Sequence, residues 1–196
     1  MINFIQIGAN VGNTDTDPMW PIVREKNWKG IFIEPIPESF NTLVDNYKDV
    51  DGCIFENIAI CDYDGEATIF RMESDPTSQC ASLVAGHFKG RNDFSVSIEC
   101  MTLNSLATKH DLLDKPFDLL QIDAEGMDYS ILMSTDFSHI LPRQIRYESV
   151  HISKQDRSVL LKHMHEKFGY KEITDEYDIL DKKYDTLLDK TPSNAD

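Results

Sequence analysis

Solid apolar runs alternate with amphipathic stretches along this chain, and that alternation predicts its elements. INFIQI at 2–7 reads as a strand, because a short continuous apolar run ending at a glycine suits a strand buried on both faces. A helix with prolines near its start is expected at 18–27. A strand at 30–34 follows, closed by Pro35 and Pro37. At 38–48 the apolar residues Phe40, Leu43, Val44 and Tyr47 stand at i, i+3, i+4 and i+7, the spacing of one helix face. CIFENIAI at 53–60 reads as a third strand.

Strand, helix, strand, helix, strand implies a parallel sheet with crossover helices. GEATIF at 65–70 and FSVSIEC at 94–100 suit an antiparallel pair, and the Ser-, Gly- and Asp-rich segment 71–93 between them is long enough for a functional loop or lid. A helix at 102–113, a buried strand at 117–123, a helix beginning within 126–134, a fifth parallel strand at 144–150 and an amphipathic helix at 154–168 complete the series. Residues 169–180 suggest one or two terminal hairpin strands. One domain is therefore expected over 1–180, followed by a polar tail over 181–196.

Composition narrows the partners. The 196 residues carry 41% apolar and 27% charged side chains, the balance of a folded domain, and a net charge of −15. Such a field repels phosphate backbones and anionic lipid, so neither nucleic acid nor a membrane is an expected partner. No run of apolar residues is long enough to span a bilayer, and no secretion signal precedes the first strand, so a cytoplasmic protein is expected. Cys53, Cys61, Cys80 and Cys100 form no C-x-x-C pair and read as free thiols.

In a doubly wound sheet, ligands bind outside the carboxyl ends of the strands, so the residues where strands stop carry the chemistry. The first strand stops at Gly8-Ala9-Asn10-Val11-Gly12, the second at Glu34, the third near Asn57, the fourth at Asp123-Ala124-Glu125-Gly126 and the fifth near Glu148 and His151. Gly8 and Gly12 allow close backbone approach, with loop amides expected to face the ligand. Glu34 follows Gly12 by 22 residues, the separation at which a carboxylate accepts both ribose hydroxyls. Asn57 is placed to read an adenine edge. The turn is G-x-N-x-G, which is neither the dinucleotide fingerprint nor a P-loop, so a phosphate-free adenosine cofactor such as S-adenosylmethionine fits best.

Six segments carry a resemblance. FIQIGANVG, IFIEPIPESF, NIAICDYDGEATIF, ASL at 81–83, MTLNSL and LLQIDAEGMDYSIL, in that order, are similar to the FkbM-type methyltransferases, which use S-adenosylmethionine and mostly methylate hydroxyls. The resemblance spans about residues 3–152. It implies a Rossmann-like class I methyltransferase fold: α/β, with a mostly parallel seven-stranded sheet whose last strand is antiparallel and helices on both faces. It further implies that Gly8, Asn10, Gly12, Glu34 and Asn57 line the cofactor site and that Asp123 sits where the methionine end meets the acceptor. Two departures stand out. Gln6 occupies a position where the family usually has an acidic residue. The helices that often precede the first strand in relatives are not in this sequence, which leaves a covering role to 71–93, to a partner subunit or to nothing.

A hydroxyl acceptor calls for a positioned base, and Asp123, Glu125, Glu148 and His151 follow strand ends on the expected rim. His151, because an unperturbed imidazole exchanges its proton near neutrality, and Asp123, if burial raises its pKa, rank first. The same four groups could ligate a divalent cation, but no compact motif such as H-E-x-x-H supports it and no metal is expected. His87 and His110 read as surface residues. The expected activity is O-methyl transfer to a carbohydrate or related polyol, with a small-molecule or glycan acceptor. Of the alternatives, a non-catalytic nucleoside or S-adenosylmethionine-binding module comes next. A nicotinamide oxidoreductase is disfavoured by the missing third glycine and by the lack of a Tyr-x-x-x-Lys pair.

Overall fold

Phe4–Ile7 forms β1, four residues buried on both faces at the centre of the main sheet. In the computed structural model, which describes residues 2–14, 17–72, 83, 93–174 and 178–181, β1 pairs in parallel with β2 (Gly30–Ile33) on one side and with β7 (Pro116–Ile122) on the other. The full order is β3-β2-β1-β7-β8-β10-β9, with β3 at Ile54–Glu56, β8 at Leu141–Tyr147, β9 at Lys171–Thr174 and β10 at Asp178–Asp181. Among the described residues, only β10, the last of these strands in sequence, runs antiparallel to both neighbours in this sheet, β8 and β9. The Rossmann-like expectation of a mostly parallel seven-stranded sheet is met.

Strand alternation explains why the apolar runs are solid. Ile5, Ile7, Ile31, Ile33, Leu120 and Ile122 point to one face and pack with Leu106 of α3 (Leu103–Lys109), Ile131 of α4 (Asp128–Ser134) and Leu160 of α5 (Lys154–Phe168). Phe4, Phe32 and Leu119 point to the other face, against Met19 and Val23 of α1 (Met19–Lys26) and Leu43 of α2 (Pro37–Asn46). Helices therefore cover both faces.

Local chemistry sets the helix ends. Ser153 accepts the N–H of Asp156 to open α5, and Gly169 closes it in the left-handed conformation at φ 79°. Thr102 opens α3 in the same way. That helix ends at Lys109, short of the expected 113, because Asp111 turns left-handed at φ 54°. The expected face of α2 is also rotated: Ser39, Leu43 and Tyr47 are buried, while Val44 faces solvent.

Two strands differ from expectation. The run at 53–60 splits after β3, because the Asn57 side chain donates to the carbonyls of Glu34 (2.8 Å) and Pro35 (3.1 Å) at the point where the main-sheet ladder ends. The chain then enters a second sheet of order β4-β6-β5, comprising β4 (Ala59–Cys61), β5 (Gly65–Met72) and β6 (Asp93–Thr102). β5 and β6 are the expected antiparallel pair, and β4 joins β6 in parallel. The fifth parallel strand, β8, ends at Tyr147 rather than at 150. Glu148 and His151 consequently lie beyond it, in a turn where Ile152 donates to the Ser149 carbonyl and Val150 is 73% exposed. Apart from strand ends and Leu83, the expected lid at 71–93 lies outside the described residues, as does the chain from 182 onward.

Candidate active site

The carboxyl ends of β1, β2 and β7 open into a cavity of about 250 Å³. Gly8, Asn10, Glu34, Asp123 and Glu125 line it, with Gln6, Thr14 and Asp17 on the side of α1 and Ile36, Ile58, Ile69 and Leu83 forming an apolar wall toward the second sheet. Gly8 is required at the centre. At φ 76°, a Cβ there would stand 1.9 Å from the Asp123 carbonyl oxygen, so only glycine lets the ends of β1 and β7 meet. Gly12 serves packing instead. It is not among the lining residues, and a Cβ on it would meet Tyr47 at 2.6 Å and Leu43 at 2.8 Å.

The glycine loop does not present open amides. Gly8 and Ala9 both donate to the Ile33 carbonyl, Asn10 to Glu34, Val11 to the Oδ1 of Asn10, and Gly12 to the Ala9 carbonyl. The expectation of an amide cradle is corrected on this point: all five N–H groups are committed to protein acceptors. The loop offers close backbone approach and leaves ligand binding to side chains.

Glu34 is the hub of this arrangement. It is 4% exposed, with Oε2 accepting the Asn10 N–H at 2.8 Å and Oε1 accepting the Ile36 N–H at 2.9 Å. Burial pushes its carboxyl up to about 7, against the opposing pull of those two amides. Each oxygen keeps a lone pair for a further donor. Asn57 is not among the lining residues; its amide donates to the carbonyls of Glu34 and Pro35 just past the end of β2.

A second acidic centre stands at the end of β7. Asp123 is exposed to the cavity, yet desolvation, and then the charges of Glu148 and Asp128, push its carboxyl up to about 6, while His151 pulls it down. Glu125, held left-handed at φ 48°, is raised to about 7 by burial and then by Asp123, Glu148 and Asp128. A non-glycine residue in that conformation just past a strand end is a common mark of a functional turn. His151 Nε2 lies 3.6 Å from both Glu125 and Glu148. The structure thus brings together Asp123, Glu125, Glu148 and His151, as expected of the rim. The ligand atoms of Glu125, Glu148 and His151 lie within 4.8 Å of one another, a spacing that could hold a divalent cation. His110 is not a free surface group: it is half-buried and bonds Glu56 at 2.7 Å.

Sequence reasoning missed Asp17 and Asp128. Asp128, in the first turn of α4, is buried and accepts the N–H of Ala124 (3.3 Å) and of Glu148 (3.1 Å), tying the β7 and β8 ends together. Asp17 precedes Pro18 at the start of α1 and accepts the Met19 N–H at 3.0 Å. An acid at a helix start was the available signal for both. It gives capping but not cavity position. The apolar wall depends on a second sheet, of which the sequence shows the β5–β6 pair but not the place of β4 beside it.

The family model described as "Methyltransferase FkbM domain" matches residues 6–177. Among solved structures, the crystal structure of Methyltransferase FkbM from Methylobacillus flagellatus KT superimposes with a TM-score of 0.55 at 14% sequence identity, covering 92% of this chain and 43% of that one. The chain thus spans less than half the length of that protein, and the likeness is one of fold. No curated protein matches the sequence at a significant level. Among the described residues, no helix is long and apolar enough to cross a membrane.

Proposed function

Because the chain belongs to the FkbM methyltransferase family, we propose that it transfers a methyl group from S-adenosylmethionine to a hydroxyl of a carbohydrate or related polyol. The observation that carries this reading is Glu34, a buried carboxylate with a lone pair left on each oxygen, lining the same cavity as Asp123. A ribose diol suits Glu34, and the wall of Ile36, Ile58 and Ile69 suits a purine face. Consumption of the loop amides argues against a pyrophosphate, and hence against NAD.

When bound, S-adenosylmethionine supplies an activated methyl on a sulfonium. The protein's task is alignment and proton removal. Glu34 fixes the nucleoside. Asp123 or His151 takes the acceptor hydroxyl's proton as its oxygen attacks, with Glu125 and Glu148 beside His151 stabilising the imidazolium that would result. The acceptor is a small molecule or glycan, and the setting cytoplasmic.

Calorimetry tests the cofactor assignment: S-adenosylhomocysteine should bind at micromolar strength and NAD far more weakly. Labelled methyl transfer to a panel of sugars and glycans tests the reaction. Binding without transfer to any acceptor favours a non-catalytic binding module.

A further inference from the structure

Asp17 is 9% exposed and lines the cavity. Its Oδ1 accepts from Gln6 Nε2 at 3.1 Å and from the Met19 N–H at 3.0 Å, and its Oδ2 accepts from the Tyr47 hydroxyl at 3.2 Å. All three donors are neutral, so among the described residues these bonds hold the carboxylate in place without balancing its charge. A buried carboxylate in that condition favours a cationic partner.

Gln6 supplies an independent sign of a missing partner. A carboxylate only accepts hydrogen bonds, so the side of the Gln6 amide turned toward Asp17 must be its NH2 group. That fixes Oε1 on the other side. Gln6 is 4% exposed and lines the same cavity, and its Oε1 is enclosed with no donor among the described residues. A buried carboxylate and an orphaned amide oxygen thus adjoin at the α1 side of the cavity, away from the apolar wall. An ammonium group answers both, because it carries the charge that Asp17 lacks and has donors for more than one acceptor.

We infer that Asp17, held in position by Gln6, is the counter-charge for the amino group of the cofactor's methionine portion. The inference rests on the S-adenosylmethionine reading. It assigns a specificity role to a residue that otherwise serves as a helix cap.

Two ligands separate the inference from the reading beneath it. S-adenosylhomocysteine carries the amino group; its deamino analogue keeps the carboxylate and the nucleoside. Calorimetry on the wild-type chain should give a dissociation constant at least tenfold weaker for the deamino analogue. Asp17→Asn should weaken S-adenosylhomocysteine at least tenfold and the deamino analogue less than threefold. Gln6→Met, which removes the amide oxygen and also the bond that positions Asp17, while keeping the Asp17 charge, should show the same selective loss at smaller size. If the wild type binds both ligands equally, or if Asp17→Asn weakens both alike, Asp17 is only a structural cap and the inference is overturned. If the wild type binds neither ligand, the cofactor reading itself fails. Should Asp17→Asn not fold, the wild-type comparison and Gln6→Met decide the matter.

Discussion

A methyl group placed on Gly8 would stand 1.9 Å from the carbonyl oxygen of Asp123. The two residues end adjacent strands, and their backbones meet at the floor of the cavity. Gly8→Ala should therefore destabilise the protein by about 3 kcal/mol or more, since neither partner is a flexible side chain that can yield. Gly12→Ala meets only the side chains of Tyr47 and Leu43 and should cost about 1–2 kcal/mol, chiefly for its left-handed φ of 55°. Denaturant melts of the two variants check the order. Equal losses would refute the separate roles given to the two glycines.

Glu34 joins the cavity, proposed above to hold the nucleoside, to the fold. Glu34→Ala orphans the N–H groups of Asn10 and Ile36, so it should lower stability by roughly 2 kcal/mol at neutral pH as well as weaken S-adenosylhomocysteine at least tenfold. A thermal melt and a calorimetric titration on the same sample test both effects. An unchanged dissociation constant would remove the ribose assignment.

The same carboxyl makes binding pH-dependent. Glu34 titrates at about 7 in the folded chain, against roughly 4.3 when unfolded, so the native state holds the proton more tightly. Its contribution to stability is therefore complete below about pH 4 and is lost as pH rises through 7. Ribose hydroxyls donate to the charged form, so binding near pH 7 should release about half a proton. Calorimetry in buffers of different ionisation enthalpy measures this, and Glu34→Gln should abolish the release.

Asp123 and His151 are the two proposed bases. Substituting the true base should lower kcat by roughly 10²–10⁴ with the cofactor dissociation constant nearly unchanged. Asp123→Asn and His151→Gln, assayed for methyl transfer and for binding, identify which it is. With a side-chain base, activity should survive EDTA. Loss on chelation and recovery with Mg²⁺ would transfer the role to a cation held by Glu125, Glu148 and His151.

The solid apolar runs at β1, β2 and β7 and the residues that close them are legible in the chain, because strands buried on both faces leave a continuous hydrophobic signature and strand ends fall where it stops. The order of those runs alone therefore places Gly8, Glu34, Asp123 and Glu125 on one rim. Local pattern does not say what each residue does there. Gly12 and Gly8 look alike in sequence, and only the nearness of Tyr47 and Leu43 to one, and of the Asp123 carbonyl to the other, separates packing from the floor of the site. The fate of the loop amides, the engagement of Asn57 with the carbonyls past β2 and the meeting of Gln6 with Asp17 all depend on hydrogen bonds across strands and helices. Periodicity records which way a side chain points along its own element. Its partner is set by how the elements pack, so tertiary structure alone turned a row of strand-end residues into a cavity with a buried carboxylate at Glu34, an acidic rim and a second buried carboxylate at Asp17.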